Sequence, residues 1–116
     1  MHVIKGVPAG GGFSTVHDLL DFNCALRGHR LLSPALTDTA LAGKVATGRG
    51  ATDRYAYGFI EDVANGEHIV GHGGGYAGVN AQLDMYRASG YTVIVLANYD
   101  PTIAQQVANK ARELLV

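Results

Sequence analysis

Residues 69–86, IVGHGGGYAGVNAQLDMY, hold the groups of this sequence best suited to chemistry. His72 can donate or accept a proton near neutral pH. Gly73, Gly74 and Gly75 follow it directly, and each glycine loses more conformational freedom on folding than any other residue would. Three chemistries use such strings. Gly73-x-Gly75-x-x-Gly78 has the spacing of a dinucleotide fingerprint, but that motif needs a helix next, whose amides hold the pyrophosphate. His72-Gly73-Gly74-Gly75 also has the form of a lipase oxyanion loop, which requires a G-x-S-x-G elbow that this sequence does not contain. The third is a strand whose missing side chains let a substrate or another backbone approach closely. Because an alternating segment follows, the strand reading fits.

The other candidates are weaker. His68 and His72 are four apart, which on a strand separates them by roughly 13 Å at about 3.3 Å per residue, too far to share one ion. No metal or cofactor is expected. Cys24 is the single cysteine, so it has no partner thiol within the sequence and reads as a small buried residue on a helix. Ser14 reads as a helix cap.

The elements that must position these groups follow from periodicity. Residues 1–13 carry Pro8 and four glycines and read as an irregular lead-in, with a short extended piece at Val3 and Ile4. Ser14 and Thr15 offer caps to a helix in which Val16, Leu19, Leu20, Asn23 or Cys24 and Leu26 share a face, with Gly28 as its stop. Ser33-Pro34 opens a second, shorter helix that Gly43 closes. From Tyr55 the period becomes two. YAYGFIEDV puts Tyr55, Tyr57 and Phe59 on one face of a strand, Asn65-Gly66 signals a hairpin, and EHIVGH returns. In VNAQLDMY, Val79, Ala81, Leu83 and Met85 alternate with Asn80, Gln82, Asp84 and Tyr86, which predicts one dry and one wet face. YTVIVLANY is nearly continuous in apolar residues and predicts a strand covered on both faces. Asp100-Pro101 then caps a last helix with a broad apolar stripe from Ile103 to Leu115. The fold class expected is α+β: an antiparallel meander of four strands backed by a C-terminal helix, with two N-terminal helices.

At 116 residues the sequence suits a single domain over 1–116. Its 47% hydrophobic and 16% charged residues are those of an ordinary globular chain, and a formal net charge of -1 provides no footprint for nucleic acid or an anionic membrane. No apolar run reaches a membrane span of roughly 18 residues, and the first residues lack the apolar core of a signal peptide. Localisation is not readable from this.

The segments PAGGGFSTVHDLLDF, RLLSPAL, YAYGF, GHGGGYAGVNAQLDMY and YTVIVLANYD, in this order, resemble the C-terminal part of the serine β-lactamase and penicillin-binding-protein-like hydrolases. Within that family the likeness is to the class C β-lactamase, esterase and D-aminopeptidase branch. The resemblance spans essentially the whole sequence. It implies a sheet backed by terminal helices beside a helical domain, with a Lys-Thr-Gly or His-x-Gly strand facing the active site. His72 then falls on the Lys or His position, Gly73 on the middle position and Gly74 on the motif glycine. Gly75 falls on the residue whose backbone N–H completes the oxyanion hole. His72, Gly73, Gly74 and Gly75 are thus the implied substrate-binding residues, with His72 and the Gly75 amide also catalytic.

One half of that site is absent from the sequence. The family's nucleophile and base come as Ser-x-x-Lys, whereas Ser14, Ser33 and Ser89 are followed three residues on by His17, Leu36 and Thr92. None of the six tyrosines has Asn or Ser two positions later. The expectation is therefore the C-terminal portion of a serine acyl hydrolase, with a small-molecule lactam, ester or peptide substrate, inactive until an N-terminal portion completes it. A second expectation stays open: a non-catalytic binding or complementation module that docks a partner through its Gly-rich edge strand, His72 to Gly75, or self-associates through an exposed sheet edge.

Overall fold

The computed structural model describes residues 6–8 and 10–116. The short extended piece expected at Val3 and Ile4 lies outside them. Helix α1 spans Val16–Arg27 and α2 spans Pro34–Leu41; six strands follow, β1 Val45–Ala46, β2 Arg54–Tyr55, β3 Ile60–Ala64, β4 Glu67–Tyr76, β5 Val79–Tyr86 and β6 Thr92–Ala97. Helix α3, Ile103–Leu115, ends the chain's regular structure. The strands form one antiparallel sheet in the order β1-β2-β3-β4-β5-β6, so the class is α+β as expected. No helix among the described residues is long and apolar enough to cross a membrane.

The local signals explain the elements. Thr15, rather than Ser14, caps α1: its hydroxyl accepts from the Asp18 amide, and Asp18 accepts in return from the Thr15 amide, a capping box. Ser33 caps α2 with Pro34 in the first turn. At the β3–β4 turn, Asn65 and Gly66 both take positive φ, 49° and 83°, the geometry a two-residue hairpin demands.

The meander has six strands instead of four, because the expected strand from Tyr55 is broken. Gly58 takes φ of 79°, and the Ala56 amide donates to the Phe59 carbonyl at 2.7 Å. Tyr55 therefore pairs across a hairpin with Ile60 instead of sharing a strand with Phe59. The added strands β1 and β2 are two residues long each, too short for any periodicity.

Both faces of the sheet are helix-covered. On one, Leu26 of α1 and Leu41 of α2 pack with Val70, Met85, Phe59 and Leu83; burying each such aliphatic side chain contributes about 1.5–3 kcal/mol. On the other lie Ile69 and Tyr86, cross-strand partners and both buried, with Ala104 and Ala108 of α3. This corrects the wet face expected of β5. Asn80 and Asp84 are buried, 3% exposed each, because α3 meets them, with the Ala104 amide at Asn80 and the Arg112 guanidinium at Asp84. Arg112 reaches Asp62 at 2.6 Å and Asp84 at 3.6 Å, and Gln105 donates to Gln82 at 3.3 Å.

Three further expectations change. Asp100 does not cap α3; its carboxylate accepts from the Gly78 amide at 2.7 Å in the β4–β5 turn, and Thr102 stands at the N-cap with no capping bond to a helix amide, its hydroxyl accepting from Gln106 Nε2 at 3.3 Å. Cys24 is exposed, since Asn23 takes the inward position of α1 and donates to the Thr92 hydroxyl at 2.7 Å. Strand β6 is touched by α1 and α3 but is only half-buried, with Leu96 exposed, because no strand lies beyond it among the described residues.

Candidate functional site

Strand β4 is ten residues long, but β3 accompanies only its first half, ending at the pair Ile60 and Gly71. Strand β5 accompanies it from Ile69 to the closing pair Tyr76 and Val79. From His72 to Tyr76, β4 thus has one bare side among the described residues. The strand expected to be an edge is interior over its first half and an edge over its second, the half that holds His72, Gly73, Gly74 and Gly75.

The register also settles which backbone groups face the bare side. Only two residues separate Tyr76 from Val79 and Ala64 from Glu67, so each is a hydrogen-bonded closing pair. Alternation from either hairpin gives one answer: His72, Gly74 and Tyr76 direct their N–H and C=O groups toward β5, and Gly73 and Gly75 direct theirs to the bare side. The Gly75 amide therefore points away from β5, off the strand's second side.

The missing side chains divide between two purposes. Gly73 and Gly75 lie on the α3 face with Gln82 and Asn80, their cross-strand partners. A Cβ at Gly73 would collide with the Gln82 carboxamide, and would stand 2.8 Å from Gln105 Nε2. One at Gly75 would stand 2.5 Å from Pro101 Cγ. At Gly75 the stiff proline ring demands the glycine, whereas at Gly73 the opposing atoms are the ends of two glutamine side chains that can move aside. Gly74 differs: a Cβ there would meet nothing within 4 Å, and it lies on the opposite face with His72. The room for close approach is at Gly74.

His72 is exposed. Its Nδ1 lies 2.6 Å from the Gly73 carbonyl oxygen and its Nε2 lies 3.4 Å from the Tyr55 hydroxyl. His68, four residues back, is turned to other work, with Nδ1 2.7 Å from Glu61. Burial pushes the Glu61 carboxyl up, but hydrogen bonds from the Gly43 amide and His68 outweigh it and hold the group below its ordinary range. Under α3, burial likewise raises Asp62, and hydrogen bonds from Thr52 and Arg112 more than offset it.

Two residues of the site were not singled out from sequence. Asn80 ties the glycine strand to α3: its Nδ2 donates to the Gly74 carbonyl at 2.9 Å, and its Oδ1 accepts from the Ala104 amide at 2.7 Å in the first turn of α3. Only the nearby polar residues of α3, Gln105 and Arg112, hint that a polar β5 face would be covered. Tyr55 arrives through β2, and its place in YAYGF carried no chemical signal.

Comparison with known proteins places this geometry. The family model described as Beta-lactamase matches residues 1–116. A solved structure, a penicillin binding protein from Bacillus halodurans, is similar at 27% identity with a TM-score of 0.77, over 86% of this chain. The match spans 30% of that protein's own length. No curated protein matches. Because that family model matches the chain over residues 1–116, the chain belongs to the Beta-lactamase family.

Proposed function

We propose that the chain is the C-terminal wall of a serine acyl-hydrolase site, in which the outer half of β4 lies against the acyl group. The nucleophile and base, a Ser-x-x-Lys pair, come in this reading from an N-terminal portion. Support comes first from one observation: among the described residues no strand pairs with β4 beyond Gly71 on the β3 side, and the Gly75 amide is directed to that side. The family and the share of the neighbour that is matched agree with it.

The chemistry is acyl transfer. The serine oxygen bonds to the carbonyl carbon of a lactam, ester or amide, its proton passing through the lysine to the leaving group as the carbon–leaving-group bond breaks. Water then releases the acyl group. In each half the carbonyl oxygen gains negative charge, and a fixed N–H aimed at it contributes roughly 3–4 kcal/mol to the barrier reduction. Gly75 supplies that N–H, Gly74 leaves room for the acyl chain, and Gly73 holds the strand close under α3. His72 faces the same space and, when protonated, can donate to a substrate carboxylate or to a hydroxyl of the site. In this role the chain needs no metal or cofactor.

The test is labelling. Alone, the 116-residue chain should take up no fluorescent penicillin and cleave no chromogenic short-chain ester. Completed by a portion carrying Ser-x-x-Lys, it should be labelled stoichiometrically at that serine. Labelling of a serine in the chain alone would overturn the reading.

The bare β6 edge and exposed Val107 and Leu114 of α3 favour a second reading, a module that docks a partner or a second copy through uncovered surface. It expects a chain that binds or self-associates and never regains hydrolysis on completion.

A further inference from the structure

We propose that Tyr55 is a positioning residue for His72, fixing which ring nitrogen carries the proton. A carbonyl oxygen can only accept, so the 2.6 Å contact between His72 Nδ1 and the Gly73 carbonyl places the hydrogen on Nδ1. In the neutral ring Nε2 is then a bare acceptor. The Tyr55 hydroxyl, 3.4 Å away, donates to it. The two rings meet edge to face, at 87° with centroids 5.9 Å apart, so the tyrosine also limits how far the imidazole can swing.

Tyr55 is itself held by backbone. It pairs with Ile60, Ile60 pairs with Gly71, and the Tyr55 carbonyl accepts from the Lys44 amide at 2.8 Å. By register its side chain belongs to the face of Ile60 and Gly71, opposite that of His72, and the two rings meet at the edge where β3 stops.

The consequence for the site rests on the proposed function. With Nδ1–H turned to Gly73 and Nε2 facing Tyr55, neutral His72 has no hydrogen to offer a substrate carboxylate. It gains one at Nε2 only on protonation, when Tyr55 must turn its hydroxyl to accept. His72 would then bind an anionic substrate group as the imidazolium, and Tyr55 is what enforces that distinction.

Nitrogen-15 spectroscopy of the imidazoles reads the tautomer without any activity. The labelled chain is measured on the alkaline plateau, where its imidazole nitrogen-15 shifts no longer change with pH. A His72→Asn spectrum assigns the signals. The expected result is a predominantly Nδ1–H ring in the wild type, and in Tyr55→Phe a tautomer ratio moved about fivefold toward Nε2–H, the effect of one ordinary hydrogen bond. A wild-type Nε2–H ring, or a Tyr55→Phe ratio within about twofold of wild type, would overturn the assignment. The wild-type measurement stands by itself if the variant does not fold. Failure of the tautomer arms with a completed chain that still takes penicillin sinks this inference alone. A correct tautomer with no labelling of the completed chain sinks the hydrolase reading alone.

Discussion

Moving one methyl group by a single residue along β4 should change its effect from favourable to damaging. In Gly75→Ala the new Cβ would stand 2.5 Å from Pro101 Cγ and 3.0 Å from Asn80 Nδ2. The proline ring is stiff and leads straight into α3, and Asn80 is fixed by its bonds to Gly74 and Ala104. Neither can yield cheaply. Overpacking of this kind costs about 1–3 kcal/mol, against which the lower entropy of an unfolded alanine returns about 0.4–1 kcal/mol. In Gly74→Ala only the gain remains, because nothing lies within 4 Å of the added atom. The two variants should therefore differ by about 2 kcal/mol, or about 6–12 °C in melting temperature for a chain of this size. Thermal melts followed by circular dichroism read this directly. Equal melting temperatures, or a less stable Gly74→Ala, would refute the division of the glycines between packing and open space. In the completed hydrolase the order should reverse for substrate: Gly74→Ala, though the more stable protein, should acylate more slowly because its methyl enters the space left for the acyl chain.

Asn80→Ala leaves the Ala104 amide without its acceptor at a site 3% exposed and takes a second donor from the Gly74 carbonyl, which keeps its ladder partner, and should lower stability by about 2 kcal/mol in urea unfolding. A loss under about 0.5 kcal/mol would show that water replaces it. Glu61 is held below its ordinary value of 4.5, so its contribution is full above that value and disappears as pH falls through the lower folded value. The melting-temperature difference between wild type and Glu61→Gln should thus be largest near neutrality and shrink below about pH 4.5, whereas parallel curves down to about pH 3 would contradict it. Exposed Val107 and Leu114, with the bare β6 edge, should make the chain self-associate in sedimentation velocity. A compact monomer at all concentrations would contradict that expectation.

Much of the fold was legible because its signals are local. Caps at Thr15 and Ser33, the Asn65-Gly66 turn and the alternation of Val79 to Tyr86 each act within a few residues, and the helices and four main strands follow from them. What escaped was set by tertiary contact. The dry and wet faces of β5 could not be told apart, since Asn80, Gln82 and Asp84 are polar for α3 rather than for water. Cys24 and Asn23 are neighbours on one helix, and only the Thr92 hydroxyl across from them decides that the amide faces inward. Gly58 broke a strand whose apolar pattern ran through it unbroken. In the site, the resemblance brought His72 to Gly75 forward as a block, but the separate reason for each glycine appears only with Pro101, Gln82 and Gln105 in place. Tyr55 reaches His72 from 17 residues away, a separation at which sequence pattern says nothing about side-chain contact.

The central claim is that the bare half of β4 receives the acyl group, with the Gly75 amide as its oxyanion donor. The most direct measurement is a crystal structure of the chain completed by a Ser-x-x-Lys portion and trapped as its penicilloyl ester. The ester carbonyl oxygen should lie within about 2.7–3.1 Å of the Gly75 nitrogen, with the acyl chain passing over Gly74. A carbonyl oxygen turned away from β4, or a further strand paired along His72 to Tyr76 so that the Gly75 amide is already bonded, would contradict it.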